Sequence, residues 1–143
     1  MNYKFFNNCD EMLTYYFENG MDTCFDLVLE QIEKDDCYLD DDWIQWCVVE
    51  FEEGDSVQPL ALIGTRRVPC VMNSTHISSF EVNINYRGLG FGTMILKEFM
   101  DNYCKDIVTL YAEDKNRGFY EKLGFVKQSE PYFYVKDGTK SDS

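Results

Sequence analysis

Residues 86–92 read Tyr86-Arg87-Gly88-Leu89-Gly90-Phe91-Gly92, and this turn between two periodic stretches decides the fold. Before it, Phe80, Val82 and Ile84 alternate with Glu81, Asn83 and Asn85, the period-2 pattern of a half-buried strand. After it, Phe91, Met94, Ile95 and Phe99 recur at helical spacing with no proline among them, which predicts a helix to about Cys104. Glycines at alternate positions let a backbone come close to a ligand, because no Cβ stands between them. The amides that open a helix lack intrahelical acceptors, and the helix dipole adds positive potential there. The turn therefore reads as an anion site suited to a phosphate or pyrophosphate, with Arg87 at its rim. It is not a P-loop, since no Lys-Ser/Thr pair follows the glycines. A dinucleotide fingerprint would want its third glycine where Thr93 stands.

Working outward, a strand from about His76 to Ile84 enters the turn. Ile107–Tyr111 reads as a further strand, and Asn116–Leu123 as a short helix stopped by Gly124 at its C′ position. Phe125–Gln128 and Tyr132–Val135 read as closing strands around Glu130-Pro131, before a frayed tail, Asp137–Ser143. Upstream, Tyr3–Phe6 predicts a first strand. Asn8 with Glu11 resembles a capping box, with Met12, Leu13, Tyr16 and Phe17 on one helical face up to Gly20. Asp22 is placed to cap a second helix bearing Phe25, Val28, Leu29 and Ile32. Trp43–Phe51 and Leu60–Thr65 read as strands joined near Glu53-Gly54-Asp55. Pro69 makes Val68–Asn73 an edge strand or a loop.

The 143 residues suffice for one domain spanning 1–143, and 45% hydrophobic with 16% aromatic residues argues against disorder. The net charge of −13 argues against nucleic acid as a partner, because phosphate-backbone binding needs a basic surface. Residues 1–65 hold sixteen acids against Lys4 and Lys34, a balance of −14, while residues 66–143 hold eleven bases against ten acids, +1. This asymmetry suits two ligands of opposite sign. Neither a membrane-spanning run nor a signal peptide is expected. Six scattered cysteines with no Cys-x-x-Cys pair predict reduced thiols, no metal and a cytoplasmic location.

Arg87-x-x-Gly90-x-Gly92 resembles the Arg/Gln-x-x-Gly-x-Gly/Ala pyrophosphate loop of the GNAT superfamily of acyl-CoA-dependent N-acyltransferases. Gly118-Phe119-Tyr120-Glu121-Lys122-Leu123-Gly124-Phe125 is similar to that family's Phe-Tyr-x-Lys-x-Gly-Phe stretch, at the expected separation downstream. The order of elements is also that of the family. The resemblance implies an α/β fold with a mixed, mainly antiparallel sheet of about six or seven strands, and about four helices packed on both faces. One departure stands out. Many members carry asparagine seven residues before the tyrosine, where this chain has Glu113.

The resemblance implies acetyl-CoA as co-substrate, held by Arg87, Gly88, Leu89, Gly90, Phe91, Gly92 and Thr93, with backbone groups near Phe80 and Val82 along the pantetheine. It implies Tyr120 as the acid that protonates the departing thiolate. For the base it leaves open His76 (with Ser78 as a relay), the carboxylate of Glu81, or water. The acceptor is expected to be a small-molecule or peptide amine, cationic given the acidic front half, and the protein a monomer or homodimer. Two other classes remain: a catalytically silent acyl-CoA sensor or interaction module, and an acidic protein that binds a basic partner.

Overall fold

The computed structural model describes residues 1–27, 30, 44–66, 74–104, 107–112, 114–129 and 133–137. The acidic runs at 33–36 and 40–42, the hydrophobic positions Val28, Leu29 and Ile32, the stretch 68–73 and the end of the tail lie outside them. Strands β1 (Asn2–Phe6), β2 (Gln45–Glu53), β3 (Ser56–Arg66), β4 (Ser74–Val82), β5 (Ile107–Tyr111), β6 (Val126–Ser129) and β7 (Phe133–Asp137) alternate with helices α1 (Cys9–Glu18), α2 (Phe91–Tyr103) and α3 (Arg117–Lys122). The fold is mixed α/β, as expected. Among the described residues no helix is long and apolar enough to cross a membrane.

The chain forms two compact units, Met1–Thr65 with Ser79–Gly92, and Arg66–Ser78 with Thr93–Ser143. In the first, the strand order is β1-β2-β3-β4, with β1–β2 and β2–β3 antiparallel. Asn8 caps α1 through a 2.9 Å bond from the Glu11 amide, which satisfies one of the donors a helix start leaves over. The Glu11 carboxylate reaches the Asn7 amide, so the reciprocal bond of the box falls one residue early. Met12 and Tyr16 pack with Cys9, Met21, Phe25, Ile44, Trp46, Val48 and Leu62 in one buried cluster. Each large side chain there contributes about 1.5–3 kcal/mol. Gly64 faces the Trp46 ring so closely that a Cβ would come within 3.0 Å of it.

Three details differ from the sequence reading. Phe17, placed on the buried face of α1, is 55% exposed. Asp22 caps no α-helix: Met21–Thr23 is a single 3₁₀ turn, Phe25 drops into the core, and helical structure begins at Leu27. Strand β3 also starts earlier than expected and runs through Pro59. Proline is tolerated there because the β2–β3 register shifts between Val49 and Glu50, opposite it, and a bulge has no ladder donor to lose.

In the second unit the order is β4-β5-β7-β6. Strand β5 pairs in parallel with β4, Ser74–Ile77 against Ile107–Leu110, and antiparallel with β7, which pairs antiparallel with β6. Helix α2 buries Ile95, Leu96, Phe99 and Met100, while Met94 is exposed, so its apolar stripe is rotated from the one read off the sequence.

Candidate active site

The alternation along the second half of β4 is real, but its buried face is the polar one. Ser79, Glu81 and Asn83 are buried, whereas Phe80 and Val82 are half-buried and Ile84 is exposed. Buried polar groups persist only when bonded. The Glu81 Oε2 accepts from the amides of Asp26 (3.0 Å) and Leu27 (3.1 Å) and from Arg87 Nη2 (2.8 Å). Asn83 donates to the Pro59 carbonyl at 2.7 Å, accepts from the Asn85 amide at 2.9 Å, and bonds through its own amide to the Leu60 carbonyl. Asn83 thereby opens the 3₁₀ turn Ile84–Tyr86. Tyr86 then stacks edge-on between Phe51 and Phe91, at 5.3 and 6.0 Å.

From this anchored turn the chain passes through Gly88 at φ 79° and Gly90 at φ 84° into α2. A side chain at either glycine would hold left-handed backbone that costs an L-residue about 1–2 kcal/mol. Residues Arg87 to Gly90 are exposed, and the first turn of α2 carries no acidic side chain. Helix α1 offers a contrast, with Asp10 and Glu11 in its first turn set against its own dipole. In α2 no acidic side chain of the first turn offsets the positive end of the dipole. The Arg87 guanidinium is anchored back on β4, with Nε on the Val82 carbonyl at 3.0 Å and Nη2 between Glu81 and Asp26 Oδ1, the latter at 3.4 Å.

In the second unit, Tyr120 owes its setting to the helix end that follows it. The amide of Phe125 bonds to the Tyr120 carbonyl at 3.1 Å and that of Gly124 to the Glu121 carbonyl at 3.0 Å. This is a Schellman closure, with Gly124 at φ 95°. Its usual hydrophobic contact is here the Phe125 ring against Tyr120 at 5.9 Å, and Phe119 stacks edge-on at 5.0 Å. The Tyr-x-x-x-Gly-Phe spacing is thus a device that fixes the tyrosine ring. Burial raises the Tyr120 phenol pKa above its usual 10, so it stays protonated and able to donate.

His76 is buried, with Nδ1 2.8 Å from Thr109 Oγ1 and its ring edge-on to Tyr111 at 5.2 Å. Burial first, and the charge of Arg66 second, lower its pKa from 6.5 to about 4. It is neutral at working pH and a weak base. Between pH 6.5 and 4 the unfolded chain binds a proton there that the native state refuses. Stability should therefore fall as pH drops through that window, by roughly 3 kcal/mol from this group. His76→Gln should flatten that part of the urea-midpoint profile, and parallel wild-type and variant profiles would contradict a neutral buried imidazole.

Within the first unit the structure brings together Glu81 and Arg87 from the sequence-predicted set. Their partner Asp26, and the turn anchors Asn83 and Tyr86, were missed. Asn-x-Asn before a glycine turn was the available signal for Asn83, as an Asx turn; nothing local points to Asp26, 61 residues from Arg87.

The sequence pattern of the acetyltransferase (GNAT) domain matches residues 56–139, and the chain belongs to the GNAT acetyltransferase family. The fold is similar to that of Tetrahymena GCN5, at a TM-score of 0.66 and 16% identity over 96% of each chain. It is similar also to a spermidine N-acetyltransferase, a SpeG chimera from Vibrio cholerae and hSSAT, at 0.62 and 14% over 98% of each. AtaTR bound with AcCoA matches at 0.57 and 12%, over 81% of this chain and 84% of that one. No curated protein sequence matches significantly.

Proposed function

We propose that the chain transfers an acetyl group from acetyl-CoA to a primary amine by direct attack in a ternary complex. The observation that carries this reading is the exposed glycine turn running into an α2 terminus free of acidic side chains, in a chain of the GNAT family. The backbone amides from Gly88 to Thr93 receive the pyrophosphate, and β4 near Phe80 and Val82 lies along the pantetheine. A backbone donor there stabilises the tetrahedral oxyanion. Tyr120, kept protonated by burial, gives its proton to the departing CoA thiolate. The amine must lose a proton first. At neutral pH that costs on the order of 4 kcal/mol for an alkylamine of pKa about 10.4. A pKa lowered to about 4 makes His76 a weak base, so the imidazole serves at most as a relay through which the amine's proton passes to solvent.

The acceptor we propose is cationic, a polyamine, an aminosugar or a lysine-like amine, in keeping with the −14 carried by residues 1–65. With such an amine kcat/KM should fall as ionic strength rises, because steering by the acidic half is screened over about 10 Å at 0.1 M salt. A panel in which only neutral or acidic amines turned over would remove the cationic acceptor.

A further inference from the structure

The segment Cys24–Leu27 is stitched to the loop entrance at three points and to α1 at a fourth. The Ile84 amide bonds to the Cys24 carbonyl at 2.9 Å, and Tyr16 Oη to the Phe25 carbonyl at 2.8 Å. The Asp26 and Leu27 amides both bond to Glu81 Oε2. Those two amides belong to the start of a helix, where the Glu30 amide already reaches back to the Asp26 carbonyl at 3.2 Å. Glu81 thus caps this helix start from β4. The same oxygen takes the Arg87 guanidinium, so one carboxylate, its side chain 2% exposed, joins the helix start to the first residue of the glycine motif. Arg87 is committed on three sides, to Val82, Glu81 and Asp26.

We infer that Glu81 and Arg87 are a positioning pair: they brace the glycine turn against the Cys24–Leu27 segment, and leave contact with the phosphates to backbone amides. Glu81 is then a structural anchor of the reaction and does not take the amine's proton. Its Oε2 is already taken by the Asp26 and Leu27 amides and by Arg87 Nη2, so the carboxylate is held in place by the groups it braces. The inference rests on the acetyl-CoA reading above, and its test has a readout independent of that ligand.

The experiment compares Glu81→Gln, Arg87→Gln and the double variant by acetyl-CoA titration at several salt concentrations, and by amide hydrogen exchange without ligand. The expected result is a similar loss of affinity in each single variant, about 3–10-fold, and no further loss in the double variant, since the two residues act as one unit. The salt dependence of binding should match wild type, and exchange at the Asp26 and Leu27 amides should quicken in all three. Arg87→Lys should restore part of the affinity. A reduced salt slope in Arg87→Gln with Glu81→Gln unaffected would make Arg87 a direct phosphate ligand and overturn the inference. Loss of kcat in Glu81→Gln with unchanged KM for acetyl-CoA would make Glu81 the base, and overturn it too. If Glu81→Gln does not fold, Arg87→Gln decides by the same salt slope and exchange rates. If wild type binds no acetyl-CoA the proposed function fails, and unchanged exchange at the two amides would then separately refute the pair.

Discussion

Tyr120→Phe should lower kcat by roughly 10–100-fold and leave acetyl-CoA affinity nearly unchanged. The substitution removes one hydroxyl and keeps the ring that packs against Phe119 and Phe125. The Schellman closure that orients the residue is made by backbone groups of Tyr120, Glu121, Gly124 and Phe125, none of which the change touches. Fold and ring position should persist. On the proposed mechanism, what is lost is the proton donor, a phenol whose pKa, raised by burial, keeps it protonated across the working range. A thiol of pKa about 8.5 leaves fairly well unaided, which puts the effect at the low end of general acid catalysis. In the proposed step the products are CoA with its sulfur protonated and a phenolate that regains its proton from solvent. Stopped-flow measurement of CoA release under single turnover isolates that step. A folded variant that turns over at the wild-type rate would make Tyr120 a packing residue alone.

Gly90→Val should weaken acetyl-CoA binding by roughly 100-fold, about 3 kcal/mol. Two effects combine. Valine is poorly accommodated at φ 84°, so the free loop relaxes elsewhere and binding must restore the left-handed backbone, at about 1–2 kcal/mol. The added side chain then stands where the phosphates approach the amides, and overpacking costs about 1–3 kcal/mol more. Nothing lies within 4 Å of a Cβ built at Gly90, so the free protein has room for it and should stay folded. Calorimetric titration of the two proteins checks this, with the thermal midpoint as control. Equal affinities would move the anion site away from this turn.

Much of this was legible in the chain itself, for physical reasons that differ from element to element. The Tyr-x-x-x-Gly-Phe closure is a local device whose partners lie within five residues, and the left-handed glycines of the turn are a local backbone signal, so their spacing carries their geometry. A strand leading into the turn was legible from the alternation at residues 80–85, though it runs Ser74–Val82 where about His76 to Ile84 was expected, and Ile84 falls in the 3₁₀ turn. Which face it buries was not legible. An apolar-in reading puts Phe80 and Val82 in the core, yet the structure buries Ser79, Glu81 and Asn83. The partners that make this favourable sit 55 residues away at Asp26 and 24 away at Pro59, and no local pattern announces them. The same holds for the helix start, where Asp22 offered a local cap and the carboxylate of Glu81 supplies a remote one at Leu27. His76 shows the other limit. Its position on β4 was readable, but burial beside Thr109 and Tyr111, which leaves it a weak base, arises only when β5 pairs with β4.

The central claim is that this GNAT-family chain uses acetyl-CoA to acetylate an amine, and the most direct measurement is thiol release from acetyl-CoA by purified protein with and without a polyamine. Release that depends on the amine, matches acetylated amine one for one and, at subsaturating acetyl-CoA, falls roughly 100-fold in Gly90→Val is the predicted result. Tight acetyl-CoA binding with no amine-dependent release, across polyamines, aminosugars and lysine peptides, would contradict it.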